Sequence, residues 1–306
     1  MKKVLVTGGA GFIASHIVDA LLESSYDVVI VDNLSTGRRK NLHSDARLYE
    51  LDIRSEQLHS VFRSERPDFV IHQAAQASVV RSIAKPVEDG SSNIDGTINV
   101  LQNCVAHGVG KVVYASTAAV YGDPKALPID ENYPFNPMSP YALSKLTAER
   151  YIKIFADLYG LNYTILRYAN VYGPRQTTHG EAGVISIFID RLLGDQGIDI
   201  FGSGLQTRDF VHVTDVATAN LAALSAGDNL IANVSTGTKT TINELVSLIE
   251  HVVGKHATRQ YQPGRIGDIL DSCLDNTAAK YGLNWNPSIT LEVGLRQTVE
   301  FFRNQH

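Results

Sequence analysis

The chain has 306 residues, with 27 Lys plus Arg against 32 Asp plus Glu, a formal net charge of −5, and 44% hydrophobic residues. That length is sufficient for one large or two moderate domains with a sizeable core. The mildly acidic balance, without a lysine-rich run, argues against a nucleic-acid binder and against a polybasic membrane ligand. The two distant cysteines, Cys104 and Cys273, favour buried thiols over a disulfide or a zinc site.

The N-terminal segment begins Met1-Lys2-Lys3 and reaches glycines after a short β-branched run. This run is too short for a secretion signal or a membrane span, so we expect a cytoplasmic protein. The ten histidines include no HExxH or other metal-ligand spacing. His72 and His212 lie in or beside predicted strands and are interpreted as packing or capping residues, so we expect no metal.

Residues 1 to about 170 alternate short apolar runs with helical patterns, which predicts parallel strands joined by crossover helices. The apolar runs are nearly continuous, as in strands covered on both faces. The predicted fold class is therefore α/β, with a doubly wound parallel sheet of the Rossmann type. The predicted strands are Val4–Thr7, Val28–Asp32, Leu48–Leu51, Phe69–His72, Val112–Ser116 and Thr164–Arg167.

Two helices have recognisable ends. Ser139-Pro140 places a capping serine before a proline at the first helical position, and Gly160 is expected to end that helix. Thr241 and Glu244 fit a capping box, which opens a helix that ends near Gly254.

After about residue 170 the sequence changes to loops rich in glycine, arginine and aromatic residues, followed by helices and short strands. There is no obvious linker. We expect a nucleotide-binding domain over residues 1–170 and a smaller α/β substrate-binding region over 171–306, with some segments returning to the first domain. Direct packing of the two would make a cleft between them.

The first strand runs into Thr7-Gly8-Gly9-Ala10-Gly11-Phe12-Ile13-Ala14 and then a helical pattern to about Leu22. A glycine turn at a helix start lets a pyrophosphate approach the backbone amides, although a plain tight turn can also use these glycines. Asp32 ends the second strand, where a carboxylate accepts from ribose hydroxyls and repels a 2′-phosphate. The combination predicts NAD rather than NADP. Arg38 and Arg39 leave NADP open, unless they lie in a solvated loop.

A series of short motifs runs in order along the whole chain: residues 7–14, Asp32-Asn33, Asp52-Ile53, residues 72–76, residues 116–122, Tyr141 to Lys145, residues 170–175, residues 206–210 and residues 265–268. By these motifs the whole chain resembles the extended short-chain dehydrogenase/reductase family, and within it the nucleotide-sugar branch and the UDP-glucose 4-epimerases. Ala14 departs from the family's usual third glycine by one methyl group, and we expect cofactor binding to survive it.

The resemblance implies which residues hold the cofactor. Without it, Asn93 would be interpreted as a helix-start residue and Asp52 as a turn former. The implied NAD-binding residues are Gly8, Gly11, Phe12, Ile13, Asp32, Asn33, Ser35, Thr36, Gly37, Asp52, Ile53, Gln73, Ala74, Ala75, Gln76, Asn93, Ser116, Tyr141, Lys145 and Tyr168.

Tyr141 and Lys145 are four residues apart in a helical pattern, so their side chains share a face. A lysine ammonium beside a phenol favours the phenolate, and the tyrosine pKa is expected to fall towards neutrality. Thr117 follows a buried strand at the carboxyl edge of the sheet, where open α/β sheets bind ligands. Taken alone, the pair also fits surface neighbours, and Thr117 also fits an ordinary strand end.

The resemblance implies that Thr117, Tyr141 and Lys145 are catalytic. The implied reaction is NAD-dependent inversion of the sugar C4 hydroxyl of a UDP-hexose through a transient 4-keto intermediate. Because the net redox change is nil, NAD would stay bound between turnovers. The nucleotide-sugar dehydratases carry acids after the catalytic threonine, and UDP-glucuronate decarboxylases use an acid in this stretch. Here Ala118 and Ala119 follow, and a methyl group transfers no proton.

A UDP-sugar presents a diphosphate, which suits the planar fork of arginine. By resemblance, Arg208 and Arg265 would bind the diphosphate or its ribose. Read without the family, each arginine is a surface ion-pair partner and Phe201 is a core residue. The substrate-binding residues implied are Thr117, Tyr141, Asn170, Gly183, Val184, Ile200, Phe201, Arg208, Arg265, Asp268 and Ser272.

One position bears on sugar choice. Four residues after Asp268 the family has a pocket residue whose bulk limits the substituent at sugar C2, with tyrosine selecting plain hexoses and small residues admitting an N-acetyl group. Here it is Ser272. We therefore predict tolerance of UDP-N-acetylglucosamine and UDP-N-acetylgalactosamine as well as UDP-glucose and UDP-galactose.

Two other functions stay open at this point. A UDP-glucuronate 4-epimerase needs the same three catalytic residues, and a non-catalytic NAD-binding regulator needs only the cofactor turn. The resemblance also implies a homodimer that pairs two helices from each subunit. The candidate helices are residues 95–107 and 140–158.

Overall fold

A computed structural model describes residues 1–178, 183–264 and 269–305. Its main feature is a seven-stranded parallel sheet in the order β11-β6-β5-β4-β1-β2-β3, accompanied by three two-stranded pairings. The strands are β1 (Lys3–Thr7), β2 (Asp27–Asp32), β3 (Arg47–Glu50), β4 (Phe69–His72), β5 (Lys111–Thr117), β6 (Asn162–Tyr168), β7 (Asn170–Tyr172), β8 (Ile198–Phe201), β9 (Thr207–Arg208), β10 (Phe210–His212), β11 (Leu230–Val234), β12 (Thr240–Thr241) and β13 (Arg259–Gln262).

Helices connect the strands of the main sheet and form most of the C-terminal region. Residues Ser91–Asp95 form a turn of π-helix that joins the helices Pro86–Gly90 and Gly96–Ala106 into one helical path. The helices are α1 (Phe12–Glu23), α2 (Leu58–Glu65), α3 (Val79–Ala84), α4 (Pro86–Gly90), α5 (Gly96–Ala106), α6 (Pro140–Tyr159), α7 (Val184–Leu193), α8 (Val213–Ser225), α9 (Ile242–Val253), α10 (Thr277–Gly282) and α11 (Leu291–Arg303).

All six predicted strands are present and belong to the main sheet, which confirms the predicted α/β class. The strand order reverses between β1 and β4, because β1 is followed along the chain by β2 on one side and, later, by β4 on the other. In open α/β sheets this switch point, at the carboxyl ends of the strands, is where ligands bind. We therefore expect a ligand-binding site at the carboxyl ends of β1, β4 and β5.

The helix ends follow the predicted capping residues. The Ser139 hydroxyl accepts a hydrogen bond from the Ala142 amide at the start of α6, and Gly160 ends that helix in the left-handed conformation, with φ +69°. Thr241 and Glu244 form the reciprocal capping box of α9. These local signals are short-range, which is why the sequence predicts them well.

Two apolar cores cover the faces of the sheet. The face that packs against α1 and α8 includes Val6, Ile30 and Leu166, and the opposite face includes Leu5 and Val112. A third core lies among α7, α9 and α11 in the C-terminal region.

One strand of the sheet comes from the C-terminal half of the chain. In β11, Ala232 pairs in parallel with Leu166 of β6, so this segment completes the sheet at one edge. Over the part of the chain that the structure describes, no helix combines the length and apolarity needed to cross a membrane.

Candidate active site

The turn between β1 and α1 brings two backbone segments into close contact. Gly8 has φ +73°, and a Cβ built there would lie 2.8 Å from the backbone nitrogen of Ala74. The Gly8 amide donates to the Val31 carbonyl at 2.8 Å, which joins the turn to β2. Gly11 is the N-cap of α1 and offers no side-chain cap. The first-turn amides of α1 are therefore arranged as an anion-binding helix N-terminus.

Asp32 ends β2 beside this turn and is 7% exposed. Its carboxylate accepts from the amides of Ala10 and Leu34, at 2.9 Å and 2.8 Å. Burial raises the pKa of Asp32, while the two amide hydrogen bonds oppose that shift. A Cβ on Gly37 would lie 2.9 Å from both carboxylate oxygens, so the following loop packs directly on Asp32. This fixed acceptor suits ribose hydroxyls and is unfavourable for a 2′-phosphate.

A cleft of about 430 Å³ runs along the carboxyl ends of these strands. It joins the glycine turn to the ends of β5 and β6, so the predicted cofactor and catalytic residues largely share one cavity. The predicted site residues that line it are Gly8, Gly11, Phe12, Ile13, Asp32, Asn33, Ser35, Thr36, Gly37, Asp52, Ile53, Gln73, Ala74, Ala75, Gln76, Ser116, Thr117, Tyr141, Tyr168 and Asn170.

Asp52 and Asn33 lie at the far end of the cleft from β5. The Asn33 amide donates to Asp52 Oδ2 at 2.8 Å, and Arg54 pairs with the same carboxylate through Nε and Nη2. The hydrogen bonds from Arg54 hold the pKa of Asp52 well below its usual range. Asp52 therefore stays ionised and acts as an acceptor.

Two predicted cofactor residues, Asn93 and Lys145, lie behind the lining of the cleft. Asn93 is 1% exposed; its Oδ1 accepts from the Gln76 amide at 2.8 Å, and its Nδ2 lies 2.9 Å from Ser144 Oγ. Asn93 thus supports the cleft wall at Gln76 and ties it to α6. Its position on the π-helical turn places it to do so.

Tyr141 and Lys145 lie one turn apart on α6, and Thr117 ends β5. Tyr141 and Thr117 both line the cleft, while Lys145 is buried and places its Nζ 4.3 Å from the ring centroid of Tyr114. Burial lowers the pKa of Lys145 to about 7, against a raising effect of nearby carboxylates. Thr117 Oγ1 also accepts from the Ala119 amide at 3.2 Å, which fixes its side chain.

Six of the remaining predicted substrate residues belong to the part of the chain that the structure describes, and these six do not line the cleft. Arg208 is half-buried on β9, Ile200 is 1% exposed in the third core, and Ser272 is 7% exposed, with its amide donating to the Thr207 carbonyl. Gly183 caps α7, Val184 begins it, and Phe201 ends β8 as a half-buried residue. Arg265 and Asp268 lie outside the described residues.

The structure adds polar groups that the sequence interpretation did not select. Gln176 and Arg54 also line the cleft, and Glu149 accepts a hydrogen bond from Ser116 behind it. Glu149 lies four residues after Lys145, and its buried partner Arg167 interrupts the apolar run of β6. A charged residue inside an otherwise apolar strand is the signal that indicates such a pairing. Among the described residues, no group of three or more histidine, cysteine or acidic side chains is placed to hold a metal ion.

The family model for NAD-dependent epimerases and dehydratases matches residues 4–235. The chain belongs to this NAD-dependent epimerase/dehydratase family. The match spans the glycine turn, Asp32, Thr117 and Tyr141, which line the cleft, and Lys145 behind it.

Solved structures of this family superpose on the chain over almost its whole length. A UDP-glucose 4-epimerase of Thermotoga maritima, solved with UDP-glucose, is 46% identical, with a TM-score of 0.97 and 99% coverage of both chains. A UDP-glucose 4-epimerase of Thermus thermophilus, solved with NAD, is 41% identical, with a TM-score of 0.95 and coverage of 99% and 100%. A UDP-N-acetylglucosamine 4-epimerase of Methanobrevibacter ruminantium, solved with UDP-N-acetylmuramic acid, is 38% identical, with a TM-score of 0.96 and coverage of 100% and 99%.

The epimerase/dehydratase family is NAD-dependent, and the residues of this chain fit that cofactor. The helix N-terminus at Gly11 has no side-chain cap, and Gly8 leaves no room for a Cβ against Ala74. The buried Asp32 carboxylate lies on the same side of the sheet. A pyrophosphate at the glycine turn and a ribose at Asp32 match this arrangement.

Proposed function

We propose that this protein is a UDP-sugar 4-epimerase that inverts the C4 hydroxyl of UDP-glucose and UDP-galactose. The observation that carries the proposal is the single cleft that joins the glycine turn to Thr117 and Tyr141, with Lys145 buried one helical turn behind Tyr141. A regulator that only binds NAD has no need for a phenol with a lysine buried one helical turn behind it.

Tyr141 is the proton acceptor in this mechanism. As a phenolate it removes the proton from the sugar C4 hydroxyl, and the positive charge of Lys145 stabilises the phenolate. The Thr117 hydroxyl orients the sugar hydroxyl towards Tyr141. NAD, when bound, supplies a reversible hydride acceptor for the sugar carbon.

Inversion requires that the reaction be completed from the opposite face of a transient 4-keto sugar. The hydride removed from C4 would return to C4 on that face, so the sugar ends at its starting oxidation level. Tyr141 returns the proton to the new hydroxyl, which regenerates the phenolate. NAD therefore stays bound as a permanent cofactor.

The residues after Thr117 argue against elimination in the same cleft. Ala118 and Ala119 form the first turn of a short helix that ends at Tyr121. Their side chains cannot donate or accept a proton. Loss of water from the sugar would need an acid at one of these positions, so the keto sugar is reduced rather than dehydrated.

The range of sugars depends on the substituent at C2. Ser272 has a small side chain, and its amide donates to the carbonyl of Thr207 in β9, the residue before Arg208. We propose that this position admits an N-acetyl group, so that UDP-N-acetylglucosamine and UDP-N-acetylgalactosamine are also substrates. Arg208, Arg265, Asp268 and Asn170 would hold the UDP portion.

The exposed apolar residues support a homodimer. Leu143 on α6, Ile83 on α3 and Val87 on α4 are all more than half exposed, and these three helices pack together. The larger apolar residues of α5 are buried or half-buried. We therefore propose a dimer face built from α6 with α3 and α4, in place of residues 95–107 and α6.

The test of function is turnover of UDP-galactose by the purified protein and by its Tyr141→Phe variant. We expect the native protein to epimerise the sugar and the variant to lose at least about a hundredfold in kcat while retaining NAD. Tyr159→Phe makes the same change at an exposed position of the same helix and is the matched control. Normal turnover by Tyr141→Phe would refute the mechanism, and an inactive native protein that retains NAD would favour the regulator.

A further inference from the structure

The ammonium group of Lys145 is buried, and burial is unfavourable for a charged group. Its side chain is 3% exposed and lies against the Tyr114 ring. Burial lowers the pKa of this ammonium to about 7 even though Glu149 and Asp89 act to raise it. Without those carboxylates the pKa would be lower still, and Lys145 would be neutral at pH 7. The proposed mechanism needs the charge to be retained, so an anion near Lys145 is required.

Among the described residues, four other titratable groups face Lys145 besides Tyr141. Tyr114 on β5 is a neutral phenol, whose pKa burial raises well above its usual value. His72 on β4 is also neutral, because burial lowers its pKa to about 3. The two carboxylates are Glu149, one turn further along α6, and Asp89 on α4.

Glu149 has a cationic partner of its own. Arg167 binds it through two nitrogens, from Nε to Oε1 at 3.0 Å and from Nη2 to Oε2 at 2.7 Å. Glu149 has the larger raising effect of the two carboxylates on the pKa of Lys145, but its charge is shared with Arg167. Glu149 is therefore not a counter-charge for Lys145 alone.

Asp89 has neutral partners. It is 1% exposed, and its Oδ1 accepts from Gln76 Nε2 at 2.8 Å and from Asn93 Nδ2 at 3.2 Å. Its Oδ2 has no hydrogen-bond partner within residues 1–178, 183–264 and 269–305. Over the same residues, no lysine, arginine or histidine nitrogen lies within 4.0 Å of Asp89. Its negative charge is thus uncancelled where Lys145 is buried.

The surrounding contacts fix Asp89 relative to Lys145. Asn93 Nδ2 lies near both Asp89 Oδ1 and the hydroxyl of Ser144, the residue before Lys145. Gln76, whose side chain binds Asp89, lines the cleft. The chain of hydrogen bonds from α4 through the π-helical turn to α6 holds the carboxylate and the ammonium in one buried region.

We propose that Asp89 is a positioning residue that supplies the buried counter-charge for Lys145 and so keeps the Tyr141 phenolate available for catalysis. This role rests on the proposed epimerase mechanism and extends it to a carboxylate outside the cleft. Asp89 acts through Lys145 and contacts neither sugar nor cofactor.

The test compares the NAD-loaded native protein with Asp89→Asn, which keeps the Oδ1 acceptor and removes the charge. We expect the pKa of the Lys145 ammonium, measured by NMR of isotopically labelled lysine, to fall by about one unit or more in the variant. The acidic limb of the kcat profile should move to higher pH, with roughly a tenfold loss at neutral pH. Asp89→Glu, which keeps the charge, should restore much of the native profile.

Asp95→Asn is the charge-matched control, since Asp95 is exposed on the same helical path. It should leave the ammonium and the profile unchanged. A Lys145 ammonium in Asp89→Asn that titrates as in the native protein would overturn the proposal, even if turnover fell. If Asp89→Asn does not fold, the titration of Lys145 in the native protein provides the test. A native Lys145 ammonium that loses its proton below neutral pH would also overturn the proposal. Epimerisation by the native protein is scored separately, so its absence would count against the function and not against the charge pairing.

Discussion

Arg167 and Glu149 form a bidentate ion pair in which the side chains are 1% and 2% exposed. Arg167 extends from β6, and Glu149 lies on α6, one turn after Lys145. Glu149 also accepts from Ser116, which directly precedes Thr117. The pair therefore joins the strand end and the helix that carry the proposed catalytic residues.

Removing one member of this pair should be costly. Glu149→Gln leaves the Arg167 guanidinium buried without a counter-charge, and we expect unfolding to become easier by about 3–5 kcal/mol. Urea unfolding of the native and variant proteins measures the difference. The double variant Glu149→Gln with Arg167→Met should lose less than the two single variants added together. Strict additivity would show that the two side chains do not depend on each other.

The breadth of sugar substrates should depend on Ser272. We expect the native protein to turn over both UDP-glucose and UDP-N-acetylglucosamine. Ser272→Tyr should reduce kcat/KM for the N-acetyl sugar by at least about tenfold relative to UDP-glucose, because the larger side chain occupies the space for the C2 substituent. Ser44→Tyr adds the same ring at an exposed site and serves as control. An unchanged preference in Ser272→Tyr would contradict the assignment.

The stability of the fold should decrease in mild acid. Burial lowers the pKa of His212 to about 4 and that of His72 to about 3, from a usual value of 6.5. Below pH 6.5 the unfolded chain binds protons that the folded chain does not. The free energy of unfolding should therefore fall with decreasing pH, by up to about 1.4 kcal/mol per pH unit for each histidine. This loss of unfolding free energy continues down to about pH 4 for His212 and about pH 3 for His72.

Denaturant unfolding at several pH values between 7 and 5 checks this slope. His212→Asn keeps an acceptor at the N-cap of α8 and removes one titrating group, so its slope should be smaller. His256→Asn, at an exposed position, should keep the native slope. Equal slopes for all three proteins would show that His212 is not the source of the acid sensitivity.

The apolar face formed by α3, α4 and α6 should be buried in a dimer. Introducing a charge there, with Ile83→Glu or Leu143→Glu, should shift the protein towards monomer, because a carboxylate cannot be buried unpaired. Light scattering at several protein concentrations measures the mass. Tyr281→Glu changes a residue that is 78% exposed on another helix and should not alter it. A native protein that is monomeric at all concentrations would exclude the dimer.

The features of the fold that depend on local sequence signals were predicted correctly. The six apolar strands, the cap at Ser139 and the capping box at Thr241 depend on short-range patterning, and each is present. The glycine turn and Asp32 were also predicted, because a dinucleotide-binding turn requires glycines after the first strand and an acid at the end of the second.

The partners of the buried polar groups could not be predicted in the same way. Arg167 and Glu149 are 18 residues apart, and Asp89 on α4 accepts from Gln76, which lies in the loop after β4. Such pairings depend on how α6 packs on the sheet and how α4 packs against α6. The strand β11 was missed as well, because its pairing with β6 joins segments more than 60 residues apart. Residue-level spacing carries no information on these contacts.

The position of β11 limits how this chain can be divided. A fragment that stops at residue 170 would contain six strands of the main sheet but would leave one edge of β6 without a hydrogen-bonding neighbour. Exposed, apolar strand edges promote association between molecules. The N-terminal part should therefore be expressed together with the chain through Val234, so that β11 covers the edge of β6. A fragment cut at residue 170 would be prone to aggregate.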